Sequence, residues 1–123
     1  MLNIKILIVE DDLSLQRLYE MMLITFGFEV VGKASNGKDA VELFLSLPLK
    51  PDIILMDHRM PLKNGIDASI EILKVNSQTK IIFTSADRSI ANKALSIGVS
   101  SFIEKPFAIT ALHKEIERVH NES

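Results

Sequence analysis

Five short runs rich in β-branched residues alternate with segments that carry apolar residues at helical spacing, and this alternation constrains the fold more than any other feature. The runs cover residues 4–9, 29–33, 52–56, 80–84 and 100–104. A strand followed by a helix, repeated along the chain, is typical of a parallel sheet with helices on both faces. The first, third and fourth runs are almost entirely apolar, which predicts central strands. The second and fifth runs contain polar residues and are predicted to be the outer strands.

The intervening segments have apolar residues at the spacing of one helix face, which predicts five helices packed on the sheet. The predicted faces are Leu15, Leu18, Met22 and Phe26; Ala40, Leu43, Phe44 and Leu47; Ile66, Ile70 and Leu73; Ile90, Ala94 and Ile97; and Ile109, Leu112, Ile116 and Val119. Gly27 and Gly98 are predicted to end helices, and Asn36 to precede one. The fold class is therefore a doubly wound, three-layer α/β sandwich of the flavodoxin-like kind.

Composition limits the function classes. The chain has 123 residues, of which 47% are hydrophobic and 24% charged, and we expect residues 1–123 to form one domain without an output domain. Cysteine is absent, which excludes cysteine nucleophiles, iron–sulfur clusters and a disulfide framework. A net charge of −2 argues against direct nucleic-acid binding. Apolar runs are far shorter than the roughly 20 residues of a membrane span, and no signal-peptide pattern is present, so a cytoplasmic location without membrane insertion is expected.

Polar side chains follow four of the predicted strands and converge if the strand order is 2-1-3-4-5. Glu10 and Asp11 follow the first strand, Asp57 the third, Ser85 the fourth and Lys105 the fifth. In a parallel sheet with this order, ligands bind at the carboxyl ends of the strands where the order reverses. Clustered carboxylates repel one another unless a cation neutralises them, and oxygen ligands favour Mg²⁺, with Mn²⁺ as a second candidate.

The same residues also permit simpler interpretations. The tripeptide from Glu10 to Asp12 could be a solvated turn in which Asp12 or Ser14 caps the next helix. Lys105 could form a surface ion pair, and Ser85 could be a turn residue. Taken together, however, a metal, a lysine and a hydroxyl suit the oxygens of a phosphoryl group. No glycine-rich phosphate loop accompanies them, so a nucleotide is not expected.

Four separated motifs carry a family resemblance. They are residues 7–12 (LIVEDD), residues 54–65 (ILMDHRMPLKNG), the apolar run that leads into Ser85, and residues 102–107 (FIEKPF). In order and spacing, residues 4 to 119 resemble the receiver domain of two-component response regulators, and most closely the single-domain regulators of the chemotaxis or phosphorelay type. The resemblance implies a signalling receiver that is phosphorylated by a histidine kinase or a histidine phosphotransfer protein.

The resemblance implies a role for each matching residue. Asp57 is expected to accept the phosphoryl group from a phosphohistidine, and Lys105 to pair with a phosphoryl oxygen. The ligands implied for Mg²⁺ are the carboxylates of Glu10, Asp11 and Asp57 and the backbone carbonyl of Arg59. Such a domain catalyses its own phosphoryl transfer and the loss of the phosphoryl group, and is not a turnover enzyme on a separate substrate.

The resemblance also implies a conformational switch. Ser85 stands where the family has a threonine or serine that shifts toward the phosphoryl group, although Thr84 would take this role if the alignment moved by one residue. Phe102 replaces the frequent tyrosine that turns inward on activation, and Lys105-Pro106 resembles the family's cis peptide.

The downstream protein target is expected on a face formed by the fourth helix, the fifth strand and the fifth helix. The predicted residues of this face are Ile90, Lys93, Ala94, Phe102, Ile109 and His113. The segment between Ala86 and Gly98 is shorter than in many relatives, which leaves the start of the fourth helix open.

Arg59 and Asp87 carry opposite charges and are expected to flank the phosphoryl pocket. An ion pair between them would hinder the water molecule that hydrolyses the acyl phosphate, and so would act as a gate. The contrasting expectation is a flexible exposed pair with almost no effect.

Three other functions remain as alternatives. The main one is a pseudo-receiver, which has the same fold but binds proteins independently of phosphorylation. A Mg²⁺-dependent phosphatase with an aspartyl intermediate would place a second acid where this chain has Arg59. A DNA-binding regulator is least favoured because no helix-turn-helix pattern follows the last predicted helix.

Overall fold

The computed structural model describes residues 3–122 and consists of alternating strands and helices. The strands are β1 (Lys5–Val9), β2 (Glu29–Ala34), β3 (Ile53–Asp57), β4 (Lys80–Ser85) and β5 (Ser101–Glu104). The helices are α1 (Leu13–Thr25), α2 (Gly37–Ser46), α3 (Gly65–Val75), α4 (Ala91–Ser96) and α5 (Ile109–Asn121). A short 3₁₀ turn, Arg88–Ile90, precedes α4. No helix of this described part of the chain is both long enough and apolar enough to cross a bilayer.

The five strands form one parallel sheet with the order β2-β1-β3-β4-β5, as predicted. Strand β1 pairs with β2 on one side and with β3 on the other. The order in which strands are added to the sheet therefore reverses between β1 and β3, and parallel α/β sheets bind ligands at such a point. Every residue of β3 is buried, in agreement with its predicted central position. Three strands, β2, β3 and β4, end one residue later than predicted, so that Asp57 and Ser85 are the last residues of β3 and β4 rather than the first residues of loops.

Alternating residues of the strands form two apolar cores, one on each face of the sheet, because successive side chains of a strand point to opposite faces. Leu7, Ile54 and Phe83 belong to the core beneath α2, α3 and α4. Ile8 and Leu55 belong to the core beneath α1 and α5. Both faces are thus covered by helices, which confirms the three-layer architecture.

The predicted buried face of α1 is only partly correct, since Leu15 and Phe26 pack against the core but the fully buried residues are shifted by about one position. The expected face was that of Leu15, Leu18, Met22 and Phe26. The structure instead buries Gln16, Tyr19 and Leu23, and leaves Leu18 48% exposed. Helix α1 carries apolar residues on more than one side, so their spacing does not identify the side that meets the sheet. Gln16 is buried because its side-chain amide donates hydrogen bonds to two backbone carbonyls.

The other helices follow the predicted pattern more closely. Helix α5 buries Leu112, Ile116 and Val119 as expected. Helix α4 has only six residues, and Ala94 is its one buried residue, which agrees with the short segment noted in the sequence. Gly98 ends this helix with a φ of +109°, a left-handed conformation that favours glycine.

Candidate functional site

Three carboxylates gather at the carboxyl end of the sheet. Asp57 ends β3 and is 6% exposed, and Glu10 follows β1 and is 2% exposed. Asp11, the next residue, is exposed. One carboxylate oxygen from each of these residues lies within 4.8 Å of the others. The structure therefore brings together the acids that the sequence predicts at the ends of β1 and β3.

Lys105 joins this acidic cluster from the end of β5. Its ammonium nitrogen lies 2.6 Å from Oε1 of Glu10 and 3.0 Å from Oδ1 of Asp57. The peptide bond between Lys105 and Pro106 is cis, as the family resemblance implies. Because Lys105 contacts two buried acids, the expectation of a plain surface ion pair is wrong.

Burial strongly affects the charges of this cluster. Burial raises the pKa of Glu10 to about 7, against the opposing effect of the hydrogen bond from Lys105. Burial also raises the pKa of Asp57, and the positive charge of Lys105 only partly offsets this. Burial alone would lower the pKa of Lys105, but its hydrogen bond to Glu10 and its contact with Asp57 raise that pKa instead. One ammonium group therefore stabilises the ionised form of these buried acids only in part, and an additional cation would favour that form.

The tripeptide Glu10–Asp12 both caps a helix and supplies acids to the cluster, so the two interpretations of this segment are both correct. Asp12 caps α1, since its Oδ1 accepts hydrogen bonds from the backbone N–H groups of Ser14 and Leu15. The backbone N–H of Asp12 donates to Oε2 of Glu10 at 3.1 Å. The helix cap thus holds Glu10 in place beside Asp57.

Gly65 positions the backbone around Asp57, and the sequence analysis did not identify this role. Its N–H donates to the carbonyl of His58 at 2.9 Å. A Cβ atom at this position would lie 2.1 Å from the carbonyl oxygen of Asp57, a distance no side chain can tolerate. Asn64 caps α3 just before it, by accepting a hydrogen bond from the N–H of Asp67. The sequence signal for this close approach is the Asn64-Gly65 pair, which is typical of a turn that begins a helix.

Ser85 lies at the site and Thr84 does not. Ser85 lines an open cavity of about 530 Å³ that also contains Glu10, Asp57 and Lys105. The Ser85 hydroxyl accepts a hydrogen bond from the N–H of Asp87 at 3.0 Å. The Thr84 hydroxyl points toward β3 and lies 3.4 Å from the carbonyl of Met56. These positions support the choice of Ser85.

Arg59 and Asp87 face each other at the mouth of this cavity. Their nearest charged atoms are 3.6 Å apart, but the side chains are 81% and 37% exposed. Hydrogen bonds from Ser89 lower the pKa of Asp87, and Arg59 contributes less. The expected ion pair is present, and its effect on hydrolysis stays a prediction.

The structure corrects three members of the predicted target-binding face. Ala94 is completely buried. Ile109 lines a groove beside α1, and His113 stacks on Phe26, after the end of α1, with ring centroids 4.2 Å apart. These two residues project from the side of α5 that faces α1. The apolar spacing of α5 identified the side that packs on the sheet, but not that His113 beside it meets Phe26, a residue remote in sequence.

The donor atoms fit a magnesium ion. Carboxylate oxygens are the ligands that Mg²⁺ prefers, and the three acids offer them from one small region. Magnesium commonly binds through one or two carboxylates and retains water molecules. The open cavity beside the acids has room for such water and for a phosphoryl group.

Comparison with known proteins establishes the family. Residues 6–117 match the family model of the response regulator receiver domain. The chain belongs to this receiver family. It is 38% identical to the chemotaxis protein CheY of Thermotoga maritima, over 94% of this chain and 96% of that protein. It is 36% identical to CheY of Bacillus subtilis, over 95% of this chain and 98% of that protein.

A solved receiver structure agrees with this family membership. The response regulator domain of Thermotoga maritima CheB superimposes with a TM-score of 0.86 at 30% identity, covering 99% of each chain. The protein is therefore a CheY-type receiver domain of two-component signalling, and its acidic cluster fits the phosphorylation and Mg²⁺ site of such domains. The pseudo-receiver alternative is not favoured, because the acidic cluster is intact.

Proposed function

We propose that Asp57 is the residue that accepts a phosphoryl group from a phosphohistidine of a histidine kinase or a histidine phosphotransfer protein. The observation that carries this proposal is the position of Lys105, which contacts both Asp57 and Glu10 in the same cavity. A carboxylate placed beside an ammonium group and further acids suits phosphoryl transfer, since that reaction depends mainly on positioning and electrostatics.

The chemistry follows from the groups around Asp57. A carboxylate oxygen of Asp57 attacks the phosphorus atom, an oxygen–phosphorus bond forms, and the nitrogen–phosphorus bond of the phosphohistidine breaks. The Lys105 ammonium group then pairs with a phosphoryl oxygen. Glu10, Asp11, Asp57 and the backbone carbonyl of Arg59 would hold Mg²⁺, or Mn²⁺ in its place. When bound, this ion screens the negative charges of the nucleophile and of the transferred group.

Ser85 and Phe102 form the proposed switch. The Ser85 oxygen already accepts a hydrogen bond from the N–H of Asp87, which leaves its proton free to donate to a phosphoryl oxygen. Ser85 pairs in register with Glu104, and Phe83 pairs with Phe102, in the parallel pairing of β4 and β5. A shift of Ser85 toward the phosphoryl group would therefore disturb the strand that carries Phe102.

The proposed target-binding face is formed by α4, β5 and the side of α5 that faces β5. Lys93 and Leu95 of α4 are exposed on the two flanks of the buried Ala94, and Phe102 is half-buried. On α5, Glu115 accepts a hydrogen bond from the hydroxyl of Ser101, so this side of the helix meets β5. A downstream protein would bind here when the ring of Phe102 changes position.

The phosphohistidine donor is proposed to dock beside α1. A groove of about 320 Å³ runs between α1 and the segment that follows β5, and Leu15 and Lys105 line both this groove and the reactive cavity. Leu18 lies in the groove and is half-exposed. An apolar helix surface on the donor would cover this groove and bring its phosphohistidine next to Asp57.

Two further features complete the proposal. Residues 1–123 act as one receiver domain, which catalyses its own phosphorylation and the loss of the phosphoryl group. A cytoplasmic location stays a prediction.

The test is to incubate the protein with acetyl phosphate and Mg²⁺ and to measure the intact mass. We expect a gain of one phosphoryl group that is absent in Asp57→Asn. Asp67→Asn is the matched control, because Asp67 is an exposed aspartate of α3. No gain in the wild-type protein would instead favour a pseudo-receiver, and continuous hydrolysis of unrelated phosphomonoesters would favour a phosphatase.

A further inference from the structure

Three aromatic rings form a row from the phosphorylation site to Phe102. His58 directly follows Asp57, and its ring centroid lies 5.6 Å from that of Phe83. The Phe83 ring is stacked on Phe102, with a centroid distance of 6.4 Å and an angle of 22° between the ring planes. Strand β3 ends at Asp57, β4 carries Phe83 and β5 carries Phe102. The row therefore crosses three neighbouring strands on one face of the sheet.

The His58 ring is held by packing and not by a hydrogen bond at its buried nitrogen. Its Nδ1 atom is buried, and no group among residues 3–122 lies within hydrogen-bond distance of it. Buried polar atoms are usually paired, so this unpaired nitrogen is exceptional. The backbone of His58, by contrast, is restrained, because its carbonyl accepts the N–H of Gly65. The ring can therefore shift against its aromatic neighbour without breaking a hydrogen bond at Nδ1.

The three rings differ in their freedom to move. Phe83 is completely buried, and close packing prevents it from moving without its neighbours. Phe102 is only half-buried and has solvent on one side. A displacement that starts at the loop after Asp57 is thus transmitted through Phe83 to Phe102, whose ring has room to change its orientation.

We propose that His58 is a positioning residue that couples the phosphorylation site to Phe102 through the ring of Phe83. This inference rests on the proposed function, in which Asp57 is phosphorylated and Phe102 changes position. In the resting structure the contact between His58 and Phe83 supports the present orientation of Phe102. Phosphorylation moves the loop after Asp57, the His58 ring shifts against Phe83, and Phe102 adopts its second orientation.

The experiment uses fluorine NMR on the full chain with fluorophenylalanine at its six phenylalanine positions. The Phe102 signal is identified by its loss in Phe102→Leu. Acetyl phosphate and Mg²⁺ are added to wild type and to His58→Leu, which replaces the ring with an apolar side chain. His58→Asn is a second variant, which removes the ring but keeps a polar atom. His120→Leu is the control, since His120 is an exposed histidine near the end of α5.

We expect wild type and the His120→Leu control to show the same displacement of the Phe102 signal on phosphorylation. In His58→Leu and His58→Asn most of that displacement is lost, because no ring at position 58 passes the shift to Phe83. His58→Phe, which restores a ring without nitrogen atoms, recovers the displacement. Intact mass measures phosphorylation separately in each sample.

Two results overturn the inference in distinguishable ways. If His58→Leu or His58→Asn is phosphorylated and its Phe102 signal moves as far as in wild type, then His58 carries no coupling. If wild type gains no phosphoryl group, the proposed function itself fails. A variant that loses its dispersed spectrum is replaced by the other ring-free variant, and His58→Phe must still recover the response.

Discussion

The ammonium nitrogen of Lys105 lies 3.0 Å from Oδ1 of Asp57. The two residues are held at this distance by different strands, since Asp57 ends β3 and Lys105 follows β5. In the resting protein this contact stabilises buried negative charge. During phosphoryl transfer the same ammonium group is next to the oxygens that gain charge, so Lys105 serves both states.

Replacing Lys105 with methionine is expected to slow phosphorylation strongly. Methionine keeps most of the side-chain volume but removes the charge that faces the transferred group. Loss of one such preorganised group costs about 10²–10³-fold in rate. The rate of mass gain with excess acetyl phosphate and Mg²⁺ measures the effect, with Lys93→Met as the exposed control. A Lys105→Met rate equal to wild type would remove Lys105 from the mechanism.

Magnesium binding is expected to strengthen as the pH rises toward 7. Between pH 4.5 and about pH 7, the folded, metal-free protein keeps a proton on Glu10 that the unfolded chain has released. The free energy of unfolding therefore decreases with rising pH in this range when the metal is removed. Bound Mg²⁺ requires the ionised carboxylate, so its affinity increases over the same range.

Calorimetric Mg²⁺ titrations and urea unfolding in a chelator, both at several pH values, measure these two dependences. Glu10→Gln cannot titrate, and it should show weaker Mg²⁺ binding with a much smaller pH dependence. Equal Mg²⁺ affinity of the wild-type protein across this pH range would contradict the raised pKa of Glu10, and wild-type affinity in Glu10→Gln would show that Glu10 is not a ligand.

Removing the pair at the mouth of the cavity is expected to shorten the life of the acyl phosphate. Arg59→Ala and Asp87→Ala both open a path for the hydrolytic water. Because the pair is largely exposed, the change should be small, about twofold, and should diminish in high salt. Loss of the added mass after removal of acetyl phosphate gives the lifetime. Unchanged lifetimes in both variants would eliminate the gate.

Phosphotransfer from a protein donor is expected to depend on Leu18, whereas transfer from acetyl phosphate is not. Leu18→Ala removes apolar area from the groove beside α1, and one such interface contact is worth about tenfold in affinity. Leu49→Ala is the matched control, since Leu49 is 68% exposed and does not line the groove. If Leu18→Ala slows phosphorylation equally with the protein donor and with acetyl phosphate, the substitution has damaged the reactive site and Leu18 is not part of a docking surface.

Gly65→Ala is expected to lower both stability and the rate of phosphorylation. The added methyl group collides with the backbone of Asp57, and such overpacking costs about 1–3 kcal/mol. Urea unfolding and the rate of mass gain are measured together. Gly27→Ala is the comparison, because its Cβ would meet no atom within 4 Å, and only its φ of +91° is unfavourable. That variant should lose stability but phosphorylate at the wild-type rate.

The sheet and the acidic cluster were predictable because each depends on a pattern that is local in sequence. Apolar runs indicate buried central strands, and the side chains that follow parallel strands must meet at one end of the sheet. These patterns predict that Glu10, Asp57 and Lys105 lie together. The structure adds that burial raises the pKa values of Glu10 and Asp57, which no residue pattern contains.

Helix rotation was the least predictable property. Helix α1 is apolar on several sides, so the buried positions of Tyr19 and Leu23 depend on contacts with distant strands. His113 was placed on the wrong side of α5 for the same reason, because its aromatic partner Phe26 is remote in sequence. The close approach of Gly65 to Asp57 was also hidden, since it arises only when α3 packs against the end of β3.

Reductive trapping of the acyl phosphate tests the central claim most directly. After incubation with acetyl phosphate and Mg²⁺, borohydride converts a phosphorylated aspartate to homoserine, and peptide mass spectrometry locates the changed residue. We predict homoserine at position 57 and at no other aspartate of the chain, with none formed when Mg²⁺ is chelated. Homoserine at Asp11 or Asp12, or unmodified aspartate at position 57 in protein that has gained a phosphoryl group, would contradict the role of Asp57.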